Sequence, residues 1–102
     1  MRLTELEARL VICIGDDVDP DRFALSGTQM ISDADGILLL CPCGGGHELL
    51  LWFAGRPRVP AKARPVPRWQ ADGATIGTLT LSPSVNAHCW HGWIRSGNAE
   101  AA

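Results

Sequence analysis

Hydrophobic and polar positions along this chain change over short intervals that suit strands better than helices. The apolar, β-branched run Leu10–Ile14 predicts a buried strand that ends before Gly15. The apolar stretches Ile37–Cys41 and His47–Phe53 flank the glycines 44–46, which predicts a hairpin with a glycine turn at its tip. Further short strands are predicted at 68–70, 78–81 and 91–95.

The N-terminal segment has a different pattern. Leu3–Leu10 fits a short helix, because Thr4 can act as its N-cap and Glu7 follows three residues later, as in a capping box. The predicted elements together indicate a mainly β fold of the small α+β class. We expect a short N-terminal helix and antiparallel hairpins pinned by a metal site.

Length and composition are those of one small folded domain. We expect residues 1–102 to form a single domain with a frayed tail at 97–102. A net charge of −2 gives no support for general nucleic-acid binding. The N-terminus lacks the apolar core of a signal peptide, and no apolar run approaches the roughly 18 residues of a membrane span. We therefore expect a cytoplasmic protein, in the host cytoplasm if it is phage-encoded, whose thiols stay reduced.

Two short pairs carry the candidate chemistry, Cys41-Pro42-Cys43 and Cys89-Trp90-His91. In an extended strand, residues i and i+2 project from the same face, so each pair could hold a metal with two side chains. Clustered cysteines in a reducing compartment indicate a metal more often than a disulfide. The preferred ligand set is Cys41, Cys43, Cys89 and His91, which would complete a tetrahedral Cys3His site with zinc as the cofactor.

Other cysteines and histidines leave the ligand set partly open. His47 follows the glycine turn and is the alternative ligand, because its imidazole could reach back over the hairpin tip. His88 lies on the opposite face from Cys89 and His91 if that segment is extended. Cys13 lies in an apolar run and is interpreted as a small buried hydrophobe. A filled Cys3His site leaves no open position for a substrate, which favours a structural role for the metal.

A proline-rich loop holds five of the nine basic residues and no acid. Together with a neighbouring tryptophan it could dock an acidic protein or a nucleic-acid backbone. The alternative is a solvated, irregular loop whose charges maintain solubility. The candidate docking residues are Arg56, Arg58, Lys62, Arg64, Arg68 and Trp69.

Four segments occur in a characteristic order along the chain. They are Asp33-Ala34-Asp35-Gly36-Ile37, Cys41-Pro42-Cys43-Gly44, Thr80-Leu81-Ser82-Pro83-Ser84-Val85 and Cys89-x-His91-Gly92-Trp93-Ile94-Arg95-x-x-Asn98. This combination resembles a small family of functionally uncharacterised phage and bacterial proteins, over most of residues 28–98. The resemblance implies a metal site and no established activity. Some bacterial relatives in that family lie near genes for ubiquitin-like conjugation.

No common enzyme motif supports catalysis, since the chain has no glycine-rich phosphate loop, no G-x-S-x-G and no H-E-x-x-H. We therefore expect a phage-type zinc-binding adaptor, not an enzyme, that acts on a host or phage protein. One alternative is a zinc hydrolase with an open metal position, using Cys41, Cys43 and either His91 or Cys89, with His47 or Glu48 as the base. Another is a minor virion or assembly component.

Overall fold

The computed structural model describes residues 1–60, 67–87 and 89–102. Within these residues the chain forms nine short strands. The strands are β1 Arg9–Cys13, β2 Phe23–Leu25, β3 Gly36–Leu40, β4 Glu48–Phe53, β5 Arg68–Asp72, β6 Thr80–Ser82, β7 Val85–Asn86, β8 His91–Arg95 and β9 Asn98–Ala101. The helical segments are single 3-10 turns at Leu3–Leu6, Ile31–Asp33 and Ile76–Thr78. The prediction of a mainly β fold is confirmed.

The strands form two sheets. The larger sheet has the order β2-β1-β3-β4-β5-β6, and β7-β8-β9 form a separate antiparallel sheet. All neighbours in the larger sheet are antiparallel except β4 and β5, which pair in parallel through Trp52 with Arg68 and Phe53 with Trp69. A parallel pair needs a long crossover between its strands, and the proline-rich loop after β4 supplies that length.

The hairpin of β3 and β4 agrees with the sequence prediction. Its register runs from Gly36 opposite Trp52 to Leu40 opposite Glu48. The Cys41 N–H donates to the His47 carbonyl at 2.8 Å and closes the turn. Within that turn the glycines at 44 and 46 have φ of +79° and +84°, a region that side chains disfavour. The turn therefore presents the first cysteine pair at the end of a stiff two-stranded arm.

Side-chain alternation along the strands divides the apolar residues between two clusters. In β3, Ile37 and Leu39 face the main core, whereas Leu38 faces a smaller one. The main core joins residues of both sheets and of the N-terminal turn, including Leu3, Leu6, Phe53, Leu79, Leu81, Val85 and Ile94. The smaller cluster contains Val11, Cys13, Leu38, Trp52 and Val59. Cys13 is 5% exposed, which agrees with its interpretation as a small buried hydrophobe.

The N-terminal helix is shorter than predicted. The 3-10 turn Leu3–Leu6 buries two leucines, and Glu7 ends it in a left-handed conformation with φ of 54°. No side chain caps the turn, so the expected role of Thr4 is wrong. The following residues cannot extend a helix because Arg9–Cys13 hydrogen-bonds to strands on both sides. In the described part of the chain, no helix has the length and apolar character needed to cross a membrane.

The expected frayed tail is ordered in the structure. Asn98–Ala101 pairs with β8 along its length, and Ala99 is only 6% exposed. The N-terminus stabilises this strand further, because the Ala99 N–H donates to the Met1 carbonyl at 2.7 Å and the Met1 amine donates to the Ala99 carbonyl at 3.0 Å. Paired backbone groups, and not side-chain bulk, keep this small and polar segment in place.

Asp35 anchors the base of the hairpin. Its carboxylate is 1% exposed and accepts hydrogen bonds from the Cys13 N–H at 2.8 Å and from the Arg58 guanidinium at 2.7 and 3.1 Å. The hydrogen bonds and negative charge of Asp35 raise the pKa of Arg58. One buried carboxylate therefore joins β1, the start of β3 and the loop after β4.

Replacing this carboxylate tests how much it contributes to the stability of the fold. We expect Asp35→Asn to lower the free energy of unfolding by about 2 kcal/mol, because it removes charge-assisted hydrogen bonds from a buried site. The matched control is Glu48→Gln, whose carboxylate pairs with Arg9 at the surface and contributes much less. Urea denaturation of both variants measures the difference. Equal losses in the two variants would contradict the anchoring role of Asp35.

Candidate functional site

Three cysteines and one histidine converge at the tip of the hairpin. Cys41, Cys43 and His47 come from the glycine turn, and Cys89 approaches from the segment that precedes β8. All four ligand atoms lie within 4.8 Å of one another. Cys89 Sγ lies 2.7 Å from Cys43 Sγ, 2.9 Å from His47 Nε2 and 3.3 Å from Cys41 Sγ. The cysteines are free thiols, so no disulfide accounts for this convergence.

The glycine turn is what allows the tip to close. The Gly45 N–H donates to Cys43 Sγ at 3.3 Å. A Cβ added at Gly45 would lie 3.1 Å from the His47 ring and 3.2 Å from Cys43 Sγ. Glycine therefore leaves the space in which the imidazole folds back over the second cysteine. This local geometry follows from the C-P-C-G-G-G-H sequence.

The electrostatics of the cluster favour a cation. The pKa of Cys43 is lowered, first by a hydrogen bond from Cys89 and then by the Gly45 N–H. The pKa of Cys89 is raised to about 12, chiefly because its thiol donates to Cys43 and also because it is partly desolvated. One thiolate is thus stabilised while a second beside it is disfavoured. A divalent cation among the sulfurs would remove that repulsion and allow all three to ionise.

The donor set also fits a metal by its size and chemistry. Zinc–sulfur bonds of about 2.3 Å place tetrahedral sulfur ligands about 3.8 Å apart, a spacing that a cluster of this size accommodates with small shifts. Three thiolates and one imidazole are a common donor set of structural zinc sites. The cluster could therefore bind a metal ion through four protein ligands.

His91, the preferred fourth ligand in the sequence analysis, lies outside this cluster, and the alternative His47 takes its place. The physical reason is the bend at Cys89, which lies before the start of β8. The rule that i and i+2 share a face holds only in an extended strand, so it does not relate Cys89 to His91. His88 lies outside the described residues.

His91 instead faces a serine. Its Nε2 lies 3.3 Å from the Ser84 Oγ. Asn86 pairs with His91 across β7 and β8, and Ser84 lies just before β7. The Trp69 indole N–H donates to the Ser84 carbonyl at 3.3 Å and ties the serine to β5. Within residues 1–60, 67–87 and 89–102, no carboxylate hydrogen-bonds the His91 imidazole.

Sequence reasoning did not assign any chemistry to Ser84. The residue lies in the Thr80–Val85 stretch, seven positions before His91, and a hairpin between the two was the available signal. The G-x-S-x-G motif could not identify Ser84, because that motif describes the strand-to-helix turn of one fold and this serine lies just before a short strand. The chain therefore contains a serine–histidine pair that cannot be recognised from a short sequence motif.

Gly92 supports the position of His91 in β8. A Cβ at Gly92 would clash with the Glu100 carbonyl and would lie 2.5 Å from the Trp90 ring. Trp90 packs against the main core, directly between the cluster residue Cys89 and His91 in sequence. The glycine thus lets an indole fill the space beneath the strand.

The described members of the predicted docking loop make contacts within their own chain. Arg56 donates to two backbone carbonyls of the segment before β3 at 2.8 and 3.2 Å, and Arg68 donates to a carbonyl after β4 at 2.6 Å. Arg58 pairs with Asp35, and Trp69 binds the Ser84 carbonyl. The two other members, Lys62 and Arg64, lie outside the described residues. Docking by this loop stays a prediction.

Comparison with protein families places this site in context. A family model described as bacterial ubiquitination-like system serine protease (BubE) matches residues 13–102. The chain belongs to the BubE family. Searches of curated proteins and of solved structures gave no match.

Membership in the BubE family corrects two expectations. The relatives expected from the sequence were uncharacterised, and the bacterial family found is described as a serine protease. The expectation that the chain is not an enzyme is wrong, because this description points to an enzyme. The sequence argument relied on contiguous motifs, and the absence of such motifs does not exclude an enzyme.

Metal analysis of point variants tests the assignment of the two histidines. We expect one zinc per chain, lost in Cys43→Ser, Cys89→Ser and His47→Ala together with a large fall in Tm, because structural zinc contributes on the order of 10 kcal/mol. His91→Ala and Cys13→Ser are the controls and should retain the metal. Plasma mass spectrometry and thermal unfolding measure both effects. Loss of zinc in His91→Ala with retention in His47→Ala would reverse the assignment.

Proposed function

We propose that this chain is a serine protease in which Ser84 is the nucleophile and His91 the general base. The observation that carries the proposal is the 3.3 Å separation of Ser84 Oγ and His91 Nε2. This distance is at the long end of the hydrogen-bond range, as is common for such pairs without substrate. Membership in the BubE family supports the reaction class. We place the substrate among the proteins of a bacterial ubiquitination-like system.

The chemistry follows from the two side chains. Ser84 Oγ attacks the carbonyl carbon of the scissile peptide bond while His91 Nε2 takes the hydroxyl proton. The tetrahedral intermediate collapses, the carbon–nitrogen bond breaks, and the departing amine receives that proton from His91. Water then attacks the acyl-serine ester, again losing a proton to His91, and the carboxylic acid leaves as Ser84 regains its proton. Each bond-making or bond-breaking step is accompanied by a proton transfer to or from His91, and the cycle returns Ser84 and His91 to their starting states.

The pair acts as a dyad in this proposal. No carboxylate in the described part of the chain orients the imidazole. Strand pairing with Asn86 positions the backbone of His91, and the Trp93 ring lies beside the imidazole with a centroid separation of 6.4 Å. The Trp69 hydrogen bond to the Ser84 carbonyl restrains the other partner. Backbone pairing therefore positions the main chain of the proposed base, without the third side chain that orients the imidazole in a triad.

We further propose that Cys41, Cys43, His47 and Cys89 hold a structural zinc ion. When bound, zinc would supply a cross-link between the hairpin tip and the segment before β8. His91 follows Cys89 by two residues, so the cross-link fixes the start of the strand that carries the base. The zinc-hydrolase alternative loses support, because four protein donors leave no position for a metal-bound water.

Active-site labelling tests the protease proposal directly. We expect a fluorophosphonate probe to modify wild-type protein at Ser84, with no labelling in Ser84→Ala and a rate lowered by about 10^4-fold or more in His91→Ala, because the base activates the hydroxyl. Ser82→Ala is the matched control, since Ser82 is an exposed serine two residues earlier. Mass spectrometry locates the adduct. Equal labelling in wild type and Ser84→Ala would refute the proposal.

A further inference from the structure

The outer face of β8 continues beyond the serine–histidine pair. His91, Trp93 and Arg95 occupy alternate positions and project outward, whereas Gly92 and Ile94 are buried on the core side. The Trp93 ring centroid lies 6.4 Å from that of His91, and His91 Nε2 lies 3.3 Å from the Ser84 Oγ. The indole therefore borders the position that a substrate chain must occupy during attack by Ser84.

Arg95 places a positive charge on the same face. Its guanidinium carbon lies 4.7 Å from the centre of the Trp93 ring, so the side chain folds along the indole. The Arg95 side chain is 56% exposed, and its described carboxylate partner is Glu100 at 4.0 Å, the limit for an ion pair. Glu100 is itself 51% exposed. Such a long surface pair is weak and can exchange for another carboxylate at small cost.

We propose that Trp93 and Arg95 form a substrate subsite that selects an acidic side chain near the scissile bond. The inference rests on the proposed protease function and names the specificity of that same site. An extended peptide advances about 3.3 Å per residue, so a glutamate or aspartate one to three residues from the attacked carbonyl can reach the guanidinium. Its methylene groups lie against the indole, and its carboxylate replaces that of Glu100 in a charge-assisted, bidentate contact.

The charge and shape of this face indicate which kind of substrate side chain it would bind. The outer face of β8 offers the aromatic surface of Trp93 and the positive charge of Arg95. A basic side chain would meet the guanidinium with like charge. A free peptide C-terminus carries the same carboxylate chemistry, and the experiment separates this source from an internal acidic residue.

Charge reversal at Arg95 tests the subsite. Zinc-loaded protein is incubated with synthetic peptides that carry Glu, Gln or Lys at each position around a common scissile sequence. Each peptide is made once with an amidated and once with a free C-terminus, and cleavage is followed by mass spectrometry. We expect wild-type kcat/KM to favour Glu over Gln by about tenfold, the factor that one charge-assisted hydrogen bond contributes. Arg95→Glu should reverse the preference toward Lys, and Arg95→Gln should abolish it.

The controls separate this inference from the protease proposal. Arg22→Glu reverses an exposed arginine just before the edge strand β2 and should retain the preference for Glu. Fluorophosphonate labelling of Ser84 should persist in both Arg95 variants. Labelled, active protein with the same preference in wild type and Arg95→Glu overturns the subsite alone, as does a preference that needs a free C-terminus. Absence of both labelling and cleavage in wild type overturns the protease proposal and the subsite with it.

Discussion

The contact of Cys89 with the tip of the β3–β4 hairpin joins parts of the chain that are 46 residues apart, and the positions of the other functional groups depend on it. Closing a loop of this length costs chain entropy, which grows slowly with length. A metal bound by three thiolates and an imidazole would offset that cost in one step, with a free energy on the order of 10 kcal/mol. This is comparable with the total stability of a small domain. The same contact holds the segment from which β8 begins, and β8 carries His91.

The two ends of the β3–β4 hairpin carry different polar groups, a buried anion at the base and ligands for a cation at the tip. At its base, Asp35 is a buried anion that accepts from the Arg58 guanidinium and from the backbone of β1. At its tip, three cysteines and one histidine form a group of donors suited to a cation. The apolar strands between these ends contribute the central part of both cores. Arg58 serves this anchoring in the structure, although it was first considered for an external docking surface.

The two described histidines beside the cysteines have separate tasks in this arrangement. His47 folds back over the glycine turn toward the sulfurs, whereas His91 lies on the outer face of β8 beside Ser84. The proposed metal site and the proposed catalytic pair are therefore close in sequence, but neither takes part in the chemistry of the other. A protease of this kind needs no metal-bound water, because the serine hydroxyl supplies the nucleophile and the imidazole moves the proton. A metal bound by the cluster would hold the strand, and its loss would act on the proposed catalysis through the fold.

The sequence by itself determined the mainly β class, the hairpin around the glycine turn and the burial of Cys13, because each depends on local alternation or on a short run of residues. It did not determine the 3-10 turn at Leu3–Leu6 or the ordered strand β9, which depend on backbone pairing with distant segments. Only the tertiary structure decided which histidine meets the cysteines and which meets Ser84. The deciding features are the bend at Cys89 and the register of β7 against β8. The alternation of side chains along a sequence reveals neither the bend nor the register. It assumes that the strand is already extended, and it says nothing about the strand with which it pairs.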